Sequence, residues 1–554
     1  MPRDRKSDHP RVGPPLAALA VFLAACAVGG LQLGGVPLME PDEARYGAVG
    51  RAMWQTGDFV TPRVNGFVYL DKPPLLHWLT ALSIGAFGPR EFAVRLSSLL
   101  AAAAGATLVY AFGRRVGGHG AGLASAGVLA ACVLWFAVGR VIRYDMLLTV
   151  SITASLWWAW LGTERGREGR RYYCQAAVAA ALGVLVKGPV ALALPGLILL
   201  PYLAVTGRLR TLAQVPWALV LGLLVLIVVP WFALCEHANP GAARFFLMHE
   251  NLARVKGEID GTHHEPWWYL GPVLLGACLP WTLLLPGAAA GATRGDEAQR
   301  RAGVLWLLWA VVPLLAFSLS KVKVPTYILP SLPPLALLIG RYVSAPRSGG
   351  RGEALATGVL LAVLGAGLAL LGPRLKYDLP YPLLGTVLGL GGLIAIVASA
   401  VRAPKWALVA VGIGTLGFLH LAIATGGPTS LFPSDRALAL EARELRRPGE
   451  RIYCARKLSR GAVFYLDERL AVLGNMPAEY DFPRNQERLE GWVYPLEEAQ
   501  DVLSRPPSAL ILCRERYAEE LRAALGGSIT EVAHTQRGLI FRTAPRRPAG
   551  EGPP

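Results

Sequence analysis

The chain has 554 residues, 53% of them hydrophobic and only 17% charged, with a mean hydropathy of +0.41. Apolar runs of bilayer-crossing length recur along it, so it reads as a polytopic α-helical membrane protein and not a soluble one. The formal charge of +17 gathers in alternate short loops. It therefore reports topology and excludes nucleic acid as a partner.

Apolar runs lie near residues 14–36, 91–112, 119–138, 144–162, 172–187, 189–206, 214–234, 267–290, 302–319, 325–342, 354–372, 383–401 and 405–425. Together they predict about thirteen transmembrane helices. The N-terminus is basic (Arg3, Arg5, Lys6, Arg11), and so are alternate loops: Arg114 and Arg115; Arg165, Arg167, Arg170 and Arg171; Arg208 and Arg210; Arg294, Arg300 and Arg301; Arg341, Arg347 and Arg351; Arg402 and Lys405. The positive-inside rule makes these cytoplasmic and places 37–90, 139–144, 187–189, 235–266, 320–325 and 373–382 outside. The first run is too long for a cleaved signal peptide and reads as an anchor.

Unusual polar residues concentrate in the outer loops. In loop 37–90, Pro41 suits the first turn of a helix. Ala44, Ala48, Ala52 and Met53 recur at helical spacing, predicting an interfacial helix over 41–54. Asp42 and Glu43 fall in its first turn, where an acid serves either as a complement to the helix dipole or as a catalytic carboxylate. Tyr46 lies one turn after Asp42, on the same face. Thr61–Gly66 reads as a turn. In Tyr69-Leu70-Asp71-Lys72-Pro73-Pro74 the prolines hold Asp71 and Lys72 on an extended segment. Lys72 there either snorkels or meets a phosphate.

Later loops carry similar groups. Arg143-Tyr144-Asp145 opens one span, and Lys187-Gly188-Pro189 breaks an apolar run. His249-Glu250-Asn251, Arg254, Lys256 and His263-His264-Glu265 share the longest central outer loop. Lys321, Lys323 and Tyr327 follow. Cations and acids on five outer loops of one bundle suit an anionic phosphate ligand with a carboxylate nearby.

After residue 425 charges rise and long apolar runs stop. Strand-like stretches at 451–454, 469–473, 509–513 and 538–541 alternate with helix-like 436–446, 496–504 and 516–525. That pattern predicts a small extracytoplasmic α/β domain over 426–545, after a membrane domain over 1–425. Residues 546–554 read as a disordered Pro/Gly-rich tail. Cys454 and Cys513 share this outer segment, where a disulfide is chemically permitted.

Asp42-Glu43-Ala44-Arg45-Tyr46, Asp71-Lys72-Pro73-Pro74, Arg143-Tyr144-Asp145 and Lys323-Val324-Pro325-Thr326-Tyr327 resemble the motifs of the bacterial aminoarabinose transferase family. These are GT-C-fold membrane glycosyltransferases related to the protein O-mannosyltransferases. The resemblance follows the membrane region in order and implies a sugar donor carried on undecaprenyl phosphate or another polyprenyl phosphate. It places the reaction at the periplasmic face of the inner membrane, among membrane lipids. Asp42 then matches the acid that activates the acceptor, and Lys72 and Arg254 match cations on the donor phosphate. Asp71 and His249 match a divalent-metal position. Tyr46, Tyr69, Asp145, Lys187 and Tyr327 match the donor cavity. One departure is Asp71, where the family usually has Glu, a side chain longer by one methylene.

Sugar transfer from a lipid phosphate needs a base for the acceptor oxygen and cations for the departing phosphate. A single displacement inverts the anomeric carbon. The acceptor stays open among lipid A, another glycan and a protein hydroxyl. The rival function is a lipid-linked sugar transporter or flippase, which favours internal repeats and midplane polar residues. Neither is visible in the sequence. A non-catalytic scaffold leaves Asp42 and Lys72 unexplained.

Overall fold

The computed structural model describes residues 14–253, 265–345, 351–375, 377, 379–427, 431–475, 477, 480–506 and 508–543. Among them, seven helices are long and apolar enough to cross a membrane, or up to eight if a bent pair counts as one span. The difference from thirteen has physical causes. The expected spans 91–112 and 119–138 begin within one continuous element, Glu91–Ala131, kinked at Gly118, whose φ of 85° suits only glycine. The 267–290 run is split at Cys278–Pro280 into Leu270–Ala277 and Trp281–Ala290, bent by 103°. The 325–342 run starts as a 3-10 turn, Pro325–Ser331, containing Pro325 and Pro330. Only Leu332–Ser344 continues as α-helix. Pro14–Gly30, Leu75–Phe87 and Val190–Val205 are shorter apolar helices.

Helix Tyr144–Arg165 is buried over most of its length and forms the centre of the bundle, whereas Trp217–Ala238 is mostly exposed on the bundle surface. That central position carries Asp145 to the heart of the site. Loop 37–90 folds into helix Asp42–Thr56 and a hairpin of β1 (Arg63–Val64) and β2 (Phe67–Val68). The hairpin turns at Asn65 and Gly66, both with positive φ. Asn-Gly is the pair such a turn demands.

Residues 451–543 build a six-stranded mixed sheet. Its strands are β3 (Arg451–Arg456), β4 (Ala471–Gly474), β5 (Val493–Tyr494), β6 (Ala509–Cys513), β7 (Ile529–Thr535) and β8 (Gly538–Thr543). Their order is β5-β4-β3-β6-β8-β7. β3 runs parallel to β4 and β6, and β8 antiparallel to β6 and β7. Cys454 and Cys513 are both free. In the β3–β6 register Cys454 faces Leu512, so Cys513 points to the opposite side of the sheet and no disulfide joins them.

This C-terminal unit grips loop 37–90. Asn65 pairs with Leu470 in both directions at 2.8 Å and donates to the Tyr480 hydroxyl at 2.6 Å. Asn485 pairs with the Val68 backbone at 3.0 and 2.8 Å. Arg51 meets Asp467 at 2.6 Å, and the Leu38 N–H donates to Tyr465 at 2.9 Å. At the centre lies Glu40, buried, with one oxygen accepting from the Gly461 N–H. Its other oxygen faces Arg460 at 3.6 Å and Arg514 at 3.8 Å but has no hydrogen-bond partner.

Burial, then the Asp435 charge, pushes the Glu40 carboxyl up to about 7, against the pull of Arg460, the Gly461 N–H and Arg514. A raised folded-state pKa means that the folded protein binds the extra proton between its unfolded value and about 7. Stability from this group is therefore full at low pH and lost as pH rises through that window. Glu40→Gln keeps the neutral form at every pH. The variant should unfold at the same temperature as the wild type near pH 4.5 and at a higher one at pH 8. Thermal unfolding across that range checks it. A less stable variant at pH 8 would mean that the arginine pairs outweigh the cost of burial.

Candidate active site

The site starts from two adjacent acids that point different ways. Successive side chains on a helix are about 100° apart, so Asp42 and Glu43 cannot share a face. Glu43 turns inward. It accepts from Arg95 at 2.8 and 2.7 Å, from the Met39 N–H at 3.0 Å and from the Ile142 N–H at 3.2 Å. Arg95 also donates to the carbonyls of Leu33, Val36 and Pro37 at 2.9, 2.7 and 3.0 Å. This buried pair fastens the first outer loop, the long helix and loop 139–143 together. Asp42 is thereby set beside Arg143.

Asp42 is half-buried between two guanidinium groups. Arg45 lies 2.5 Å from one oxygen and Arg143 lies 3.0 Å from the other. Beneath Asp42 sits a box of rings. Tyr46 packs edge-on to Tyr144 at 4.8 Å and to His77 at 6.1 Å, and Tyr69 packs on His77 at 6.0 Å. His77 Nε2 is 2.7 Å from the Tyr144 hydroxyl. Arg45 lies 5.3 Å from the Tyr46 ring and 5.5 Å from that of Tyr69.

Burial pushes the Tyr46 hydroxyl up, with the Asp42 charge adding. Burial does the same to Tyr69, whose hydroxyl also feels Arg45 and Asp71. Burial pulls the His77 imidazole down to about 3, and the Arg45 charge adds to that. At neutral pH these rings neither accept nor release a proton readily. Two carboxylates border the box, Asp42 and Asp71, and both charges reach the Tyr46 hydroxyl.

A second cluster adjoins through the consecutive residues Arg143, Tyr144 and Asp145. Asp145 accepts from Lys187 at 2.5 Å and from the Thr326 hydroxyl at 3.0 Å. Lys187 stands 4.7 Å from the centre of the Tyr327 ring. The 3-10 turn at Pro325 allows this, because it aims Thr326 at Asp145 and Tyr327 at Lys187. Lys72 donates to the Asp71 carbonyl at 2.6 Å, and the Asp71 charge is felt by both Tyr46 and Tyr69. The segment carrying Lys72 thus borders the same box. Arg45, Arg143, Lys72 and Lys187 outnumber Asp42, Asp71 and Asp145, which suits an anion.

The structure thus brings together Asp42, Tyr46, Tyr69, Asp145, Lys187 and Tyr327, with Asp71 and Lys72 at the border. Arg254 lies outside the described residues. His249 stacks on Phe245 at 4.8 Å, and Phe245 packs on Phe482 of the C-terminal unit at 5.5 Å. Among the described residues, no three His, Cys, Asp or Glu side chains gather to hold a metal ion. Lys323 is buried and donates to the carbonyls of Ser320 and Glu265 at 2.5 and 2.8 Å. It ties loops together there. The reading by residue type did not single out His77 or the gripping roles of Arg45 and Arg143. A lone histidine in Leu75-Leu76-His77-Trp78 was the available signal.

Residues 71–233 match the family model for dolichyl-phosphate-mannose-protein mannosyltransferases. The chain is 35% identical over 340 residues to an undecaprenyl phosphate-alpha-4-amino-4-deoxy-L-arabinose arabinosyl transferase of Edwardsiella ictaluri, covering 60% of each chain. It is 38% identical over 305 residues to the Pseudomonas aeruginosa protein of that name, covering 54% of each. The aligned part thus spans little more than half of these relatives. The fold extends the likeness. The crystal structure of ArnT from Cupriavidus metallidurans bound to undecaprenyl phosphate superposes with a TM-score of 0.82 at 23% identity, over 97% of this chain and 99% of that one. The apo form gives 0.81 at 24% identity. The chain is thus similar in sequence to these arabinosyl transferases over part of its length, and similar in fold to the Cupriavidus metallidurans protein over nearly all of it.

Proposed function

We propose that the chain transfers a sugar from a polyprenyl-phosphate donor to an envelope acceptor such as lipid A, at the periplasmic face of the bacterial inner membrane. Residues 426–545 form the periplasmic domain over the site. The observation that carries this reading is Asp42, held between Arg45 and Arg143 above a box of uncharged rings. The arabinosyl transferase relatives support 4-amino-4-deoxy-L-arabinose on undecaprenyl phosphate as the donor. The match to the mannosyltransferase model supports a second reading, with a hexose donor and a protein hydroxyl as acceptor.

In this reaction the acceptor oxygen attacks the anomeric carbon as Asp42 takes its proton. The bond from that carbon to the phosphate oxygen breaks, and the phosphate leaves with the electron pair. Lys72 and Arg254 stabilise the departing charge, and the anomeric centre inverts. Asp42 sits between two guanidinium groups, Arg45 and Arg143. The donor phosphate competes for the same groups and so frees Asp42 when it binds.

The test is transfer by the purified chain in vesicles, with aminoarabinose or hexose on undecaprenyl phosphate as donor and lipid A or protein as acceptor. Mass spectrometry reads the product. No transfer in any combination overturns the proposal. Lys72→Ala should weaken undecaprenyl phosphate binding by roughly 10- to 100-fold, the loss expected for a charged hydrogen bond of about 1.5–3 kcal/mol. Unchanged affinity would remove Lys72 from the phosphate site.

A further inference from the structure

Helices Arg351–Leu371, Tyr381–Ala400 and Pro404–Ala424 form a tight unit. A Cβ on Gly385 would lie 2.3 Å from the Gly365 carbonyl oxygen, and one on Gly391 would lie 2.8 Å from the Gly414 Cα. Toward the rest of the bundle the fit is loose. A cavity of about 510 Å³ separates Pro404–Ala424 from Glu91–Ala131 and Leu332–Ser344, lined by Gly127, Trp281, Leu408 and Gly412 among others.

This slot has the length of one leaflet. Its walls run from Gly120 to Ala131 and from Lys405 to Leu416. Each wall is about 16 Å long at 1.5 Å per residue, close to half of a roughly 30 Å hydrocarbon core. Leu123, Val409 and Ile413 on its rim are exposed, so it opens sideways to lipid. Its one charged lining residue, Lys405, stands at an end. Ser344 is shared with a second cavity of about 780 Å³, which Arg294 and Arg341 line.

Two carboxylates stand near that end: Arg341 feels the charge of Asp296, and Glu353 accepts from the Tyr342 hydroxyl at 2.8 Å. Among the described residues, none of the three cations pairs with a carboxylate. Arg341 donates to the carbonyls of Ala292 and Gln299 at 3.1 and 2.9 Å and to that of Arg294. Lys405 lies in the first turn of its helix, where the dipole disfavours a cation. An apolar slot one leaflet deep with cations at its mouth complements a phospholipid with an anionic head.

We propose that this seam is a binding site for one anionic phospholipid of the leaflet on the basic-loop side. Its acyl chains lie along Gly127 and Gly412, and its phosphate faces Lys405, Arg341 and Arg294. The lipid joins the last three helices to the bundle. This site is separate from the Asp42 region and stands whether or not the catalytic reading does.

The experiment is native mass spectrometry of the delipidated full chain, titrated with phosphatidylglycerol or phosphatidylcholine. Phosphatidylglycerol should bind at least about tenfold more tightly. Lys405→Gln, at an exposed position, should weaken it about fivefold, one surface charge's worth. Gly127→Leu should abolish the tight site, because a Cβ at Gly127 meets no atom within 4 Å and leucine can fill the slot. Lys321→Gln, outside the seam, should change nothing. Equal binding of the two lipids, or unchanged binding in both seam variants, would reduce the site to ordinary annular contact and overturn the proposal. So would full competition by glycerol phosphate, since that requires only a soluble-anion pocket. If Gly127→Leu fails to fold, Lys405→Gln decides.

Discussion

Asp42→Asn should transfer sugar at least about 100-fold more slowly than the wild type while binding undecaprenyl phosphate as well or better. General-base catalysis contributes about 100- to 10,000-fold, and asparagine keeps the shape while losing the proton acceptor. The binding half of the expectation comes from the clamp. Arg45 and Arg143 both spend charge on Asp42, and neutralising it leaves them to the donor phosphate. If Asp42 only complements the helix dipole, asparagine costs a small change in stability and turnover stays near normal. Donor binding and turnover measured on one preparation separate the two. Near-normal turnover would sink the catalytic role.

Arg95→Met should be the most damaging single change to stability in the membrane region. Arg95 and Glu43 are 3% and 4% exposed at their side chains. Removing one partner of a buried pair costs about 3–5 kcal/mol, because the other charge is left stranded. Arg95 also holds three backbone carbonyls. The double variant Arg95→Met with Glu43→Gln should recover part of the loss. Unfolding in mixed micelles measures both. A single variant as stable as the wild type would show that the loop is fixed by other contacts, chiefly those to the C-terminal unit.

The parts of this architecture that are local in sequence were legible in it. Tyr46 falls under Asp42 because one helical turn separates them. The motifs around Lys72, Asp145 and Lys187 announced themselves as ions at the ends of apolar runs. What stayed hidden depends on packing between distant segments. Nothing local says that Asp145, Lys187 and Thr326 meet, since each lies on a different element. Nothing in Asp42-Glu43 tells which acid turns inward; that follows from Arg95 on the facing helix. Hydropathy counts apolar length but not direction, so the bends at Pro280 and Pro325 were read as straight spans. Both edge strands stayed hidden: β5 is only two residues long, and in β7 the polar pairs Thr530-Glu531 and His534-Thr535 break the apolar alternation that marks a strand.

The grip of the C-terminal unit on the first outer loop also sets an order of events. Asn65 and Leu470 are 405 positions apart, and Glu40 and Gly461 are 421 apart. The ribosome makes the Asp42 helix some four hundred residues before its clamps. Contacts of such separation close late in folding, after the chain between them is ordered. Until then Glu40 has no pocket and the hairpin has no partner for its Asn65 turn. A growing or shortened chain can sit in the membrane with every spanning helix in place and still lack a finished site. A copy without the C-terminal unit lacks the contacts that hold the first outer loop in place.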